Sequence, residues 1–155
     1  MISRPVRMSL QLERRSQMGS SVRLMRWLDL YATGIEKIDR EHESLTDLLN
    51  ALNEAYRANK PHDVLLFRLD QLLEAAHAHF TDEEALMRER GYVDVDLHKA
   101  EHDFLLSQVA HFREEYAAEK AELSESMMDY LRDWLRDHIL ISDRRMARFL
   151  RGETA

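Results

Sequence analysis

The sequence predicts an all-α fold, an up-down-up-down antiparallel four-helix bundle. Three observations carry this reading. After Trp27, apolar residues recur at alternating steps of three and four, the period of a helix with one buried stripe. Chain breakers are scarce: 4 Gly and 2 Pro in 155 residues are too few for the many turns of a β fold. The length suits one compact domain with a sizeable core.

Residues 1–26 lack the stripe and hold six Arg against the single Glu13, although the whole chain carries −7. A membrane-binding arm, a nucleic-acid arm or a targeting peptide would share such a charge. No apolar run is long enough for a signal-peptide core or a membrane span. Residues 1–26 are therefore read as a basic, disordered N-terminal extension, and 27–155 as the folded domain. Met18 and Met25 lie just before the pattern begins. The acidic remainder argues against a nucleic-acid partner.

Helix one is placed at about 35–58, with the stripe Ile35, Ile38, His42, Leu45, Leu49, Leu52. Pro61 suits the first turn of helix two, at about 61–90, whose stripe is Leu69, Leu72, Ala76, His79, Glu83. Arg88, Arg90 and Gly91 read as cations in a last turn followed by a cap. Helix three, at about 94–118, runs His98, His102, Leu105, Val109, Phe112, Tyr116. The junction near Glu119–Ser126 has no strong breaker; helix four is placed at about 122–150, with the stripe Met128, Leu131, Leu135, His138, Ser142. Short links between four such helices make neighbours antiparallel.

A purely structural bundle would have apolar stripes throughout. Here they are interrupted by His42, by His79 with Glu83, by His98 with His102, and by His138 with Asp143. Pairs at i, i+4 share a helix face and can converge on one or two ions. Asp143, five residues after His138, needs a long reach or a local change in the helix. At ~1.5 Å per residue, all four sets fall roughly 6–18 Å from the same end of an up-down bundle. Seven polar residues in one buried layer point to a shared metal site, since burying them unpaired costs about 1–3 kcal/mol each. His62, His77 and His111 fall off the stripes and are expected on the surface.

There are no cysteines, which removes disulfides, zinc-thiolate sites and iron–sulfur clusters and suits a cytoplasmic protein. Seven ligands exceed a structural zinc site, and five imidazoles disfavour Mg²⁺ or Ca²⁺. If both carboxylates and one solvent oxygen bridge two octahedral ions, one coordination position stays open for a diatomic ligand. Two ferrous ions, two carboxylates and a hydroxide leave a modest net charge of one.

Trp27, Gly34, Ile38-Asp39 and His42, then His79-Phe80, Glu83-Glu84 and Met87, then Tyr92, His98 and His102, then Trp134-Leu135, His138-Ile139 and Asp143 resemble the bacterial hemerythrins, over about residues 27–146. Glu41 departs from the Gln the family commonly has there. The resemblance implies two non-haem iron ions per chain, oxo- or hydroxo-bridged. His98, His102 and His138 would hold a saturated iron, His42 and His79 the iron with the vacancy, and Glu83 and Asp143 would bridge. O2 would bind reversibly at the open iron, for storage, delivery or sensing, without enzymatic turnover. Leu135 and Ile139, flanking His138, read equally as lining of a dry O2 pocket and as plain core; Trp134 reads as packing. A monomer is expected, and a protein client stays open. Two alternative readings have different residue signatures. A di-iron oxidase or peroxidase of the ferritin-like type uses more carboxylates than imidazoles, with paired Glu-x-x-His helices. An iron- or nitric-oxide-handling protein of the related kind relies on paired Glu bridges.

Overall fold

A computed structural model describes residues 23–153. Long helices α1 (Glu36–Arg57), α2 (His62–Arg90) and α3 (Val95–Ala117) are followed by a fourth rod. In that rod, α4 (Glu125–Asp137) runs through a π-helical turn, His138–Asp143, into α5 (Arg144–Leu150). One short 3₁₀ turn, Asp29–Tyr31, precedes α1. Among the described residues there is no strand, and no helix is long and apolar enough to cross a membrane.

The helix ends explain where the sequence was legible. Gly91 closes α2 in the left-handed region at φ 72°, and the Tyr92 N–H donates to the Met87 carbonyl at 2.9 Å. Tyr92 then packs on the buried Met87, the apolar contact that accompanies this motif. The same turn ends α1 at Asn59 and α3 at Glu119, with φ 53° and 58°. A glutamate in that conformation is costly and gives no recognisable signal. That is why the third junction was poorly marked, and why α4 starts at Glu125, later than the expected 122. Ser124 caps it, its Oγ accepting from the Met127 N–H at 3.1 Å.

The core is divided in two. A large apolar cluster runs from Leu45 and Ala76 to Leu131 and Leu135. A small one, Ile38, Met87, Tyr92 and Met146, closes the other end. The polar layer lies between them, with apolar side chains on both faces. Residues 1–22 of the extension lie outside the described residues. Met25 belongs to the core: it is 4% exposed, its N–H donates to Asn50 Oδ1 at 2.9 Å, and its carbonyl accepts from Asn50 Nδ2 at 2.7 Å. Packing therefore begins at least two residues before Trp27. His77 and His111 are exposed, as expected. His62 is half-buried instead, because Tyr116, ending the antiparallel α3, stacks on its ring at 4.4 Å and offers its carbonyl to Nε2 at 2.7 Å.

Candidate metal centre

All seven stripe-breaking residues are buried, and they meet at one level: His42 from α1, His79 and Glu83 from α2, His98 and His102 from α3, His138 and Asp143 from the fourth rod. The π-helical turn accounts for the last pair. Widening one turn by a residue brings positions five apart onto one face, so Asp143 enters the layer and Ser142 is rotated out of the expected stripe.

The donors form two groups, each within 4.8 Å. One comprises Glu83, His98, His102, His138 and Asp143; the other comprises His42, His79, Glu83 and Asp143. The carboxylates divide their oxygens between the groups. Glu83 Oε1 lies 2.7 Å from His98 Nε2, while Oε2 lies 3.0 Å from His79 Nε2. Asp143 Oδ1 lies 3.0 Å from His98 Nε2, while Oδ2 lies 2.9 Å from His42 Nε2. His102 Nε2 faces His138 Nε2 at 3.0 Å. Two ligands at right angles, each ~2.1 Å from one ion, stand about 3.0 Å apart, so these separations suit coordination.

The test of fit is what the donors lack. Both His42 nitrogens, Glu83 Oε2 and both Asp143 oxygens are buried without a hydrogen-bond partner. His42 Nε2 and Asp143 Oδ2 are close yet misaligned for a hydrogen bond, as two lone pairs aimed at a common point would be. Orphaned polar atoms cost about 1–3 kcal/mol each, and a cation removes that cost. Protons substitute in part. Burial alone pushes the imidazoles down, but facing carboxylates outweigh it and lift His79 and His98 to about 9 and His138 to about 10. Burial likewise works against ionised Glu83 and Asp143, yet the surrounding histidines hold both below the usual carboxylate range.

Three carboxylates outside the layer hold the rings, and the sequence reading gave them no role. With Nε2 turned inward, Nδ1 donates outward: from His79 to Glu41 at 2.8 Å, from His138 to Glu101 at 3.0 Å, from His102 to Glu84 at 3.4 Å. Ser142, displaced by the π turn, donates to Glu101. Such acceptors fix ring orientation and raise ligand basicity. Glu41, noted only as a departure from Gln, supplies this contact. The signal was available in the spacing, since each glutamate immediately precedes or follows a layer residue. Phe80 stacks on His102 at 3.9 Å and Trp134 on His138 at 4.5 Å, so Trp134 packs directly on the centre.

Beside the layer, one helical turn into the main core, lies an apolar cavity of about 50 Å³ lined by Leu45, Leu49, Ala76, Phe80, Leu105 and Leu135 among others. Leu135 is on its wall; Ile139, 1% exposed, packs in the same cluster outside that lining. A water would fit by volume but needs two to four polar partners, which these walls do not supply.

Fold and layer together define a cation-binding four-helix bundle. Residues 33–150 match the family described as Hemerythrin HHE cation binding domain. Similar proteins include the bacteriohemerythrin of Methylococcus capsulatus, 32% identical over 117 residues, which cover 75% of this chain and 88% of that one. The bacteriohemerythrin of Clostridium acetobutylicum is 32% identical over 123 residues, covering 76% and 95%. A crystal structure of wild-type hemerythrin superposes with a TM-score of 0.76 at 31% identity, covering 79% of this chain and 95% of that one. The chain belongs to the hemerythrin family.

Proposed function

We propose that this chain binds O2 reversibly at a non-haem di-iron centre and serves oxygen storage, delivery or sensing. One observation carries the reading: the donor layer is lopsided. Five donors face one ion position and four face the other, with Glu83 and Asp143 shared. Two ferrous ions supply the two electrons that O2 takes up on binding and returns on release. His98, His102 and His138 would hold one iron, and His42 and His79 would hold the other, with fewer protein donors and so room for a ligand. Glu41, Glu84 and Glu101 orient the imidazoles so that uptake and release need little rearrangement. Leu135 and the cavity beside it keep water from the open side, and Ile139 seals the core behind. We read the centre as one that binds O2 without turning over an organic substrate. Among the described residues the donor layer is buried, and imidazoles outnumber carboxylates in it five to two. We read the chain as a non-enzymatic, cytoplasmic monomer.

The test is an optical titration of the iron-loaded protein from anaerobic to air-saturated buffer and back, with metal analysis. Two irons per chain and a spectrum that returns on deoxygenation are expected. One zinc per chain, or sustained oxidation of added substrates, would overturn the reading.

A further inference from the structure

A buried centre raises the question of how hydrated iron reaches it. Among the described residues, surface grooves reach the layer at His79 with Glu83 and at His138, and a much smaller opening reaches His98. The groove between α3 and the fourth rod is walled by Leu97, Phe104, Trp134 and Ile141, and its two carboxylates are Glu101, which holds His138 and Ser142, and Asp137, which is paired with Arg136. Apolar walls are a poor path for a hydrated divalent ion. The groove between α1 and α2, of about 270 Å³, is different. Its mouth carries Glu41, Asp82, Glu89 and Lys37, and its floor is His79 and Glu83. Glu83 is 2% exposed, and its Oε2 has no hydrogen-bond partner. At the mouth, Glu41 holds His79 Nδ1 through Oε2, and the Lys37 ammonium stands 3.9 Å from its other oxygen, Oε1, and 3.7 Å from Asp82. It occupies the place a cation would take between two carboxylates. Lys37 is 68% exposed, so these pairs are weak and easily exchanged.

We propose that the α1–α2 groove is the iron-loading port of this chain: Asp82 and Glu41 collect hydrated Fe²⁺ in exchange for Lys37, and the ion passes to His79 and Glu83. This rests on the di-iron reading of the centre. Carboxylate oxygens exchange readily with bound water on a divalent ion, so the mouth gathers the metal and the imidazoles, which hold it more firmly, retain it. A cleft in which carboxylates outnumber the single Lys37 also raises the local cation concentration, an effect that fades with salt.

The experiment uses full-length chain freed of metal with a chelator, with helix content verified by circular dichroism. It is mixed anaerobically with ferrous ion in stopped flow. Quenching of the two tryptophans, Trp27 at 6.4 Å from His42 and Trp134 stacked on His138, reports arrival, and metal analysis reports the end point. Asp82→Asn is expected to slow loading about 3- to 10-fold at low salt, with less effect at high salt, and still to reach two irons. Lys37→Gln is expected to speed it. Asp137→Asn, the same charge change at the other groove, is expected to leave the rate unaltered. Loading to two irons at an unchanged rate in Asp82→Asn, or an equal slowing in Asp137→Asn, overturns the port alone. A parent chain that never reaches two irons overturns the di-iron reading and the port with it.

Discussion

Leu135→Ala tests the proposed role of Leu135 in keeping the centre dry and separates it from packing. Leu135 is 8% exposed, sits one turn before His138 and forms part of the wall of the apolar cavity. The substitution removes three carbons, about 2.4 kcal/mol at ~0.8 kcal/mol per buried CH2. The void joins a cavity that is already present and cannot collapse onto tight neighbours, so the total cost is about 3–4 kcal/mol. For a domain of this size that lowers Tm by roughly 10–15 °C. The enlarged space also reaches toward the donor layer, whose polar atoms are the partners a water needs to settle there. Oxidation of the iron pair in air should therefore accelerate while two irons stay bound. The assay follows optical decay of the oxygenated protein beside thermal unfolding, with Leu135→Met as the volume-conserving control. A fall in Tm with an unchanged oxidation rate would refute the argument and leave Leu135 as packing alone.

His42→Ala leaves one imidazole, His79, in the smaller donor group and on the proposed division of ligands should abolish reversible O2 uptake even where iron remains; uptake matching the parent would contradict that division. Truncation to a start at Met18 should preserve spectrum and Tm. A start at Trp27 removes the buried Met25 and its two bonds to Asn50 and should cost about 2–4 kcal/mol in denaturant unfolding. In the metal-free chain, His79, His98 and His138 are raised above 6.5, so their protonation stabilises the fold fully below that pH and is lost as pH rises through 9 to 10. Urea midpoints of the metal-free protein should fall across that range, and midpoints that climb would count against it. Because protons and iron compete for the same nitrogens, loading at neutral pH should release protons, measurable with an indicator dye.

The sequence determined the four helices and the polar layer because both follow from local periodicity. A stripe broken by His or carboxylate at 3–4 spacing places each donor on a buried face, and chain direction then sets their common level. Helix ends marked by Gly91 or Pro61 were legible for the same local reason, whereas Glu119 adopts its left-handed turn with no residue-type signal. The His138 to Asp143 spacing required either reach or distortion, and only the folded rod decided for a π-helical turn, which also sends Ser142 outward to Glu101. Tertiary structure alone decided the contacts between helices: which oxygen of each carboxylate faces which group, that Glu41, Glu84 and Glu101 hold the rings, and that Met25 packs inside. Those contacts depend on how adjacent helices rotate and close on one another. A periodic pattern fixes the face a residue occupies on its own helix, but not the atom that waits across the gap.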